Sequence, residues 1–368
     1  MTLRRPIRVT VDANSLAWGW SGIPKTIDRI VRELARDDGL ELELLANAGA
    51  PFTDIEGVRQ VWRRLKGGTA WRNSFVLGRL LRERPDVFWA PETAMPLWVP
   101  VPSVATVHDL APLIFPGSKP PRATLAHRTT LPRGARSASR VIAVSETTAD
   151  DVRRLWGVAP ERLRVVPNGV DEAFTPGDRA QASSLVAARW GISGPYVLHV
   201  GMLDPRKGLD VLLDAAEAEW RDGAGWSLVL AGSPGFASDA LLARATAAPW
   251  CALLGRVTDE ELVTLYRGAE VLGAPSHYEG FGITPVEAMA CGTPVVIAAG
   301  SGGLVEVSGP AAVVVPERTA PAWRRGVAEA RRRRDELAAA GSARAARYRW
   351  PAVAAATRDV LLEAAGAE

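Results

Sequence analysis

The stretch that decides the fold runs from Pro275 to Val296 and reads PSHYEGFGITPVEAMACGTPVV. It predicts a turn at Gly280–Gly282, a helix over Thr284–Ala290 and a buried strand that begins at Val295. A glycine turn that leads into a helix exposes backbone N–H groups and the positive end of the helix dipole, so it can receive an anion. The stretch therefore indicates one strand–turn–helix unit of an α/β protein, with an anion site at its turn.

Two carboxylates flank this turn, Glu279 before it and Glu287 on the predicted helix. A glutamate one or two helical turns beyond the turn can accept hydrogen bonds from vicinal hydroxyl groups, such as those of a ribose. Hydroxyl recognition beside an anion site suggests a nucleotide sugar. The alternative is an ordinary strand–turn–helix unit whose two glutamates face solvent.

The spacing between the two glutamates, the tail EAMACGTPVV and the preceding Ala274-Pro275-Ser276 occur together in this stretch. In this combination the chain resembles the retaining glycosyltransferases of GT-B fold, of the glycosyltransferase family 4 (group 1) type that includes bacterial mannosyl- and glucosyltransferases. The resemblance covers nearly the whole chain and is strongest over residues 196–316. It implies an α/β fold with two Rossmann-like, doubly wound domains that face a cleft.

Length and pattern agree with two domains. A chain of 368 residues can form two cores of ordinary size. Strand-like runs alternate with helical patterns, as in parallel sheets built from βαβ units. We expect an acceptor-binding domain over 1–176, a linker, a nucleotide-sugar-binding domain over 195–350, and a final helix over 351–368 that crosses back to the first domain.

The predicted strands are short apolar runs. In the first half they are Ile7–Val11, Leu42–Ala46, Val87–Trp89, Val104–Val107, Val141–Val144 and Leu163–Val166. In the second half they are Tyr196–Val200, Ser227–Ala231, Ala252–Leu254, Val271–Ala274, Val295–Ala298 and Ala312–Val315. Open α/β sheets bind ligands beyond the carboxyl ends of their strands, so residues that follow a strand are the candidates for the site.

The composition indicates where the protein is located and which partners it has. No apolar run reaches the ~18 residues of a membrane span, and no signal-peptide core follows the basic start, so a cytoplasmic protein is expected. Cys251 and Cys291 lie in apolar contexts and are predicted to be reduced thiols. The excess of cations lies in the first half, which is compatible with peripheral contact at the inner membrane face, although a preference for arginine throughout the chain explains it equally. Dispersed basic residues without an aromatic RNA motif argue against nucleic acid as a partner.

Arg206 and Lys207 follow the predicted strand Tyr196–Val200. Two adjacent cations repel each other unless an anion lies between them, and Arg and Lys are the usual ligands of phosphate. The pair resembles the diphosphate-binding pair of the family, although Met202 stands where many members have another arginine. The sequence has no Asp-x-Asp motif for a divalent cation, so we expect neither a metal nor another cofactor.

His108 follows the strand Val104–Val107. A lone histidine is often a core residue satisfied by a neighbour, here Asp109. By the resemblance, however, His108 contacts the donor sugar near its reacting carbon. Asp109 and Trp20 are predicted to contact the acceptor.

The remaining predictions rest on the resemblance. The predicted catalytic residues are His108, Arg206, Lys207 and Glu279. The predicted donor-binding residues are Gly22, in the loop after the first strand, Arg256, near the base, and Gly280, Phe281, Gly282, Ile283, Thr284 and Glu287. GDP-, UDP- and dTDP-linked sugars all remain open as the donor, and a glycan, a lipid-linked glycan or a small natural product as the acceptor.

The expected activity is retaining transfer of a hexosyl group, of mannose type or related. Such a reaction would serve surface-polysaccharide or antibiotic biosynthesis. Three alternatives remain: a nucleotide-sugar 2-epimerase, which needs no acceptor; a phosphorylase, which needs inorganic phosphate; and a protein that binds a nucleotide sugar without catalysis. The fold serves many chemistries, so only the matched residues support the choice.

Overall fold

The computed structural model describes residues 5–18, 22–49, 52–118, 120–223 and 225–367, without the side chain of Trp18. The chain divides into two compact units. The first comprises Met1–Leu110, Arg122–Gly169 and Trp350–Glu368, and the second comprises Ala111–Pro121 and Val170–Arg349. Each unit has a parallel sheet and a hydrophobic core of its own, as the alternation of strand and helix patterns predicts.

The strands of the first unit are β1 (Ile7–Asp12), β2 (Leu40–Ala46), β3 (Arg59–Trp62), β4 (Val87–Ala90), β5 (Ser103–Val107), β6 (Arg140–Ala143) and β7 (Leu163–Val165). Within the described residues they form one parallel sheet in the order β3-β2-β1-β4-β5-β6-β7. Strands β4 and β5 are buried along their whole length, which explains their continuous apolar runs. Every strand predicted for this half is present, with small differences at the ends.

Strand β3 is missing from the sequence prediction. It is an edge strand that pairs only with β2 among the described strands, and its side chains are half-buried or exposed. Trp62, its last residue, is 38% exposed. An edge strand of this kind shows neither an apolar run nor a clean alternation, so its pattern does not separate it from a loop.

The helices of this part of the chain are α1 (Gly22–Leu34), α2 (Gly68–Trp71), α3 (Leu77–Glu83), α4 (Ala111–Ile114), α5 (Pro121–Arg128), α6 (Thr130–Ser137) and α7 (Glu146–Asp151). The short helix α4 belongs to the second unit. In the residues just after it, the ring of Phe115 stacks on His277 with centroids 5.0 Å apart, which fixes this segment on the second unit.

The strands of the second unit are β8 (Tyr196–Val200), β9 (Ser227–Ala231), β10 (Cys251–Gly255), β11 (Val271–Ala274), β12 (Val295–Ala298) and β13 (Ala312–Val315). Within the described residues they form a parallel sheet in the order β10-β9-β8-β11-β12-β13. All the strands predicted for this half are confirmed. Their boundaries were easy to predict because buried β-branched runs alternate here with glycine turns.

The helices that follow are α8 (Arg179–Trp190), α9 (Asp210–Arg221), α10 (Asp239–Ala247), α11 (Asp259–Gly268), α12 (Ile283–Ala290), α13 (Gly303–Ser308), α14 (Ala320–Arg332), α15 (Arg334–Ala345) and α16 (Trp350–Ala365). None of the helices in the described part of the chain combines the length and the hydropathy that a membrane span requires.

Helix α8 occupies the stretch between 176 and 195 that the sequence predicts as a linker, so that prediction is wrong. Asp178 caps the helix by accepting a hydrogen bond from the Gln181 amide, and Gly191 ends it with a φ of 69°. The helix packs on α11 and buries Val186. Gly191 is therefore the C-terminal cap of a helix and not a residue of a linker.

The last helix, α16, packs against α1 in the first unit. Val353, Val360 and Leu361 join the core that contains Ile27 and Ile30. The prediction of a final helix that returns to the N-terminal domain is confirmed.

The two cysteines are free thiols, as predicted. Burial raises the pKa of Cys251 and of Cys291 to about 12. Both side chains therefore stay protonated and unreactive at neutral pH.

Candidate functional site

Two loops meet where the strand order of the second sheet reverses. Strands β8 and β11 are neighbours, but the chain continues from β8 to β9 on one side and from β11 to β12 on the other. Connections that leave in opposite directions open a crevice beyond the carboxyl ends of the two strands. The loops over 201–209 and 275–282 lie there, and they contain six of the residues that the sequence predicts for the site: Arg206, Lys207, Glu279, Gly280, Phe281 and Gly282.

Glu279 is the centre of an ionic cluster between these loops. Its Oε1 lies 2.6 Å from Nζ of Lys207, and its Oε2 lies 2.8 Å from Nη1 of Arg206. The hydroxyl of Ser276 also donates to Oε1, at 2.8 Å. The carboxylate of Glu279 thus lies between the two cations, and it orients both of them before any ligand binds.

Arg206 and Lys207 lie on a short 3-10 turn, Pro205–Lys207, which is ended by Gly208 with a φ of 62°. A Cβ atom at Gly208 would lie 2.5 Å from the carbonyl oxygen of Pro275, so only glycine lets the two loops approach this closely. Arg206 is 8% exposed and also donates to the carbonyl of Tyr278 at 2.6 Å.

Burial by itself favours the neutral form of Glu279. The charges of Lys207 and Arg206 outweigh that effect and hold the pKa of Glu279 at about 2. Glu279 is therefore ionised at every pH at which the protein is expected to work.

Glu279→Gln is expected to reveal this ion pairing as a pH-dependent loss of stability. The pKa in the folded state lies below the ordinary value of ~4.3 for glutamate, so the stabilisation is complete above that value and is lost as the pH falls towards about 2. Urea unfolding of both proteins across this range measures the effect. The difference in unfolding free energy should be constant above about pH 5 and shrink below it. A difference that persists unchanged to the acid end would contradict the assignment.

His199 lies beneath this cluster as a core residue, 2% exposed. Its Nδ1 is 2.9 Å from the carbonyl oxygen of Gly273 and therefore donates the hydrogen bond. Burial, with a further contribution from the Lys207 charge, lowers the pKa of His199 to about 4. The imidazole is neutral at physiological pH and adds no charge to the site.

Glu287 lies on the second turn of α12, is 5% exposed, and accepts a hydrogen bond of 2.9 Å from the hydroxyl of Tyr266. Burial, followed by the charge of Glu287, raises the pKa of Tyr266 well above its usual value, so the phenol remains a donor. The alternative in which Glu279 and Glu287 face solvent is excluded, because both carboxylates are held inside the second unit.

The turn over Gly280–Gly282 lies at the crevice and leads into α12. Phe281 is 4% exposed, and its ring packs edge-on against Tyr348 with centroids 5.4 Å apart. Gly282 caps α12 with a φ of 90°, which favours glycine. Ile283 and Thr284 are half-buried first residues of that helix. The turn thus places backbone N–H groups at a helix N-terminus, as predicted.

Sequence reasoning missed two supports of this turn. The amide of Glu279 donates to the carbonyl of Ser301 at 3.1 Å, and the amide of Gly303 donates to the carbonyl of Glu279 at 2.8 Å. Arg318 donates to the carbonyl of Ser276 at 2.7 Å. The Ser-Gly-Gly sequence after β12 was a usable signal for the first support, whereas no local pattern marks Arg318.

Arg256 lies apart from this cluster. It follows β10, which is separated from β8 by β9, and its side chain is exposed. Two strand spacings place it about 10 Å along the sheet from the reversal point.

In the first unit, His108 follows β5 as predicted, with half-buried Asp109 beside it. Its Nε2 lies 2.8 Å from the carbonyl oxygen of Pro91, so Nε2 carries the proton and the hydrogen bond runs to the main chain rather than to Asp109. Burial lowers the pKa of His108. The neutral ring therefore has a hydrogen-bond acceptor at Nδ1.

Gly22 is the first residue of α1, and a Cβ atom there would meet nothing within 4 Å. A ligand could approach Gly22 through this open space, and a side chain would fit there as well. Trp20 lies outside the described residues.

Sequence comparison identifies related proteins over both units. A model described as "Glycosyl transferases group 1" matches residues 189–347, and one described as "Glycosyltransferase Family 4" matches residues 20–174. D-inositol 3-phosphate glycosyltransferase of Segniliparus rotundus is 30% identical over 344 residues, which cover 86% of this chain and 71% of that protein. O-antigen chain mannosyltransferase B of Escherichia coli is 30% identical over 202 residues, 53% of this chain and 52% of that protein.

Solved structures share the fold. Sucrose-phosphate synthase from Thermosynechococcus elongatus superimposes with a TM-score of 0.79 at 21% identity, over 99% of this chain and 100% of that one. HepE of Anabaena, in complex with UDP and glucose, gives a TM-score of 0.75 at 19% identity, over 96% and 98% of the two chains. With the matched sequence models and the relative aligned along most of its length, the chain belongs to the group 1 glycosyltransferases of family 4 and has the GT-B fold.

Proposed function

We propose that the protein is a retaining, metal-independent glycosyltransferase. It moves a hexosyl group of mannose type from a nucleoside-diphosphate sugar to a hydroxyl of an acceptor bound by the first unit. The observation that carries the proposal is the cluster of Arg206, Lys207 and Glu279 beside the N-terminus of α12, where the strand order reverses.

Arg206 and Lys207 would hold the diphosphate. Negative charge grows on the leaving group as the glycosidic bond breaks, and preorganised cations stabilise it without reorganisation. The N–H groups at Phe281 and Gly282 and the dipole of α12 would add to this field. These groups would neutralise the charge of the diphosphate in place of a divalent cation, so activity should survive removal of metal.

Glu279 and Glu287 would recognise hydroxyl groups. An ionised carboxylate has about four lone-pair sites, so Glu287 keeps acceptor capacity for a ribose beyond its bond from Tyr266. Glu279, fixed by two cations, would accept from the hydroxyls of the sugar. His108 would accept a sugar hydroxyl at Nδ1, near the reacting carbon, and Arg256 would lie near the base.

Retention follows from transfer on one face. The bond from the anomeric carbon to the phosphate oxygen breaks, a bond to the acceptor oxygen forms on the same face, and the acceptor proton passes to the leaving phosphate. No side-chain nucleophile is required in this scheme. A covalent sugar trapped on a side chain would refute it.

The mannose-type donor is supported by the resemblance and by the Escherichia coli relative, which is named a mannosyltransferase. The relative from Segniliparus rotundus is named for D-inositol 3-phosphate, a phosphorylated polyol, so polyols with and without a phosphate are the first acceptors to test. Leu97, Trp98 and Leu125 are exposed on the first unit, which supports peripheral membrane contact by a cytoplasmic enzyme of surface-polysaccharide or antibiotic biosynthesis.

A donor panel tests the proposal. Thermal shift with GDP-, UDP- and dTDP-linked hexoses in EDTA should identify a stabilising donor, since a ligand that binds the folded state raises apparent stability. Transfer from that donor should proceed in EDTA, and NMR of the product should show the anomeric configuration of the donor.

Each part of the proposal can fail separately. An inverted product would rule out retention, and activity lost in EDTA and restored by Mg²⁺ would rule out metal independence. Turnover of the donor to its 2-epimer without an acceptor would indicate an epimerase. Tight donor binding with neither transfer nor hydrolysis would indicate a binding protein.

A further inference from the structure

Three charged side chains meet at the point where the strand order of the first sheet reverses. Strands β1 and β4 are neighbours, and the chain continues from them in opposite directions, to β2 and to β5. Asp12 ends β1, and Glu92 follows β4 by two residues. Arg72 binds Asp12, with Nε 2.6 Å from Oδ2. By the rule for open α/β sheets this is where the first unit should hold a ligand. We call these residues the Asp12–Arg72–Glu92 cluster.

The cluster contains two carboxyl groups and one guanidinium group. Asp12 is 3% exposed, and its pKa is raised by burial against the attraction of Arg72. Glu92 is half-buried, and its pKa is raised by burial and then by the charge of Asp12. Asp12 is thus buried in its pair with Arg72, whereas Glu92 is half-buried and is attracted by the same guanidinium group.

The backbone beside Glu92 is strained. Thr93 has a φ of 66°, in the left-handed region that a β-branched residue rarely adopts. Two hydrogen bonds hold it there, from its hydroxyl to the carbonyl of Thr106 at 2.6 Å and from its amide to the carbonyl of Ala90 at 3.1 Å. The fold therefore maintains an unfavourable conformation that fixes the position of Glu92.

A buried hydroxyl lies at the same place, beside Glu92. Ser15 is 7% exposed, and its hydroxyl faces the carboxyl of Glu92, whose pKa it lowers against the effect of burial. A buried hydroxyl and a half-buried carboxyl side by side at the reversal point can both exchange hydrogen bonds with the hydroxyl groups of a ligand.

We propose that the Asp12–Arg72–Glu92 cluster, with Ser15, binds the hydroxyl groups of an uncharged polyol acceptor and selects against phosphorylated acceptors. The inference rests on the proposed transferase function and specifies its substrate. Hydroxyl groups of a polyol can donate to Glu92 and exchange a hydrogen bond with Ser15. A phosphate at the same place would face two carboxyl groups, and the single guanidinium group there is already bound to Asp12, so charge repulsion disfavours it.

Matched acceptor pairs test the selectivity. With the donor fixed, transfer is measured to myo-inositol and its 3-phosphate, to glucose and its 6-phosphate, and to mannose and its 6-phosphate. For each pair that the enzyme accepts as substrates, the kcat/KM of the wild type should be about tenfold or more higher for the uncharged member. The reason is that the carboxylates of the cluster repel the phosphate group.

Two variants and a control test the residues. Glu92→Gln should lower the preference for the uncharged member about tenfold by raising its KM, with the donor KM unchanged. Ser15→Ala should raise the acceptor KM several-fold with the donor KM unchanged, because it removes a hydroxyl that would bind the acceptor beside Glu92. Glu56→Gln, at an exposed carboxylate of the same unit, should behave as wild type.

Four results would overturn the inference: a wild-type preference for phosphorylated acceptors, unchanged acceptor kinetics in Glu92→Gln, unchanged acceptor kinetics in Ser15→Ala, or donor binding and hydrolysis without transfer to any member of the pairs. A protein that binds no sugar nucleotide at all is a different result, because it removes the proposed function and this inference with it.

Discussion

Lys207→Ala is expected to lower kcat/KM by about 10²–10³-fold with little loss of stability, the usual effect of removing one preorganised charge from the leaving group. Lys207 Nζ lies 2.6 Å from Glu279, and Arg206 remains as a second partner of that carboxylate in the variant. The fold should therefore survive while the field on the diphosphate weakens. Steady-state kinetics with the identified donor and urea unfolding measure the two effects.

The control is Lys66→Ala, which removes an exposed lysine of the first unit. It changes the net charge by the same amount and should leave kcat/KM within about twofold of wild type, since exposed charges are screened. If both variants lose activity equally, the effect of Lys207 comes from net charge and not from its position. If Lys207→Ala retains full activity, the site assignment is wrong.

Gly303→Ala is expected to reduce kcat/KM by about 10²-fold, because displacement of a catalytic group by ~1 Å can have that effect. A Cβ atom at Gly303 would lie 2.3 Å from the carbonyl oxygen of Gly280 and 3.0 Å from the Cα of Phe281. These are backbone atoms, so the turn itself must move, and Glu279 moves with it. Overpacking should also cost about 1–3 kcal/mol of unfolding free energy. Donor binding, turnover and urea unfolding measure the change.

The matched control is Gly78→Ala. Gly78 lies in α3 of the first unit, and a Cβ atom there meets nothing within 4 Å. Alanine in a helix is favoured over glycine by roughly 0.5–1 kcal/mol, so this variant should be as stable as wild type or more stable, with full activity. Normal donor kinetics in Gly303→Ala would show that Glu279 does not depend on the loop after β12.

The strands and the positions of the turns that follow them were predictable because their signals are local. Buried strands such as β11 and β12 read as apolar runs, and glycines with positive φ, such as Gly282, mark the turns that follow them. The predictions failed where the local signal was weak or ambiguous. Strand β3 lies at a sheet edge, and Gly191 resembles a linker glycine although it caps α8.

Several site contacts carry no local signal. Glu279 and Lys207 are 72 residues apart, and Asp12 and Arg72 are 60 residues apart. In both units the contact depends on which strands become neighbours in the sheet. Asp12 and Glu92 lie at or just after the carboxyl ends of strands, where open α/β sheets bind ligands. Neither residue lies in a sequence motif that would have distinguished it from other residues at strand ends.

The sequence by itself therefore determined the family, the two parallel sheets and the turns that follow their strands, since short stretches of hydrophobic periodicity and turn residues carry these signals. Only the tertiary structure decided which side chains contact one another. It placed Glu279 between Arg206 and Lys207, supported their turn with Gly303 and Arg318, and left Glu92 and Ser15 beside a paired Asp12 and Arg72. The physical reason is that charge and burial depend on distances across a sheet, and these are set when strands far apart in sequence pair.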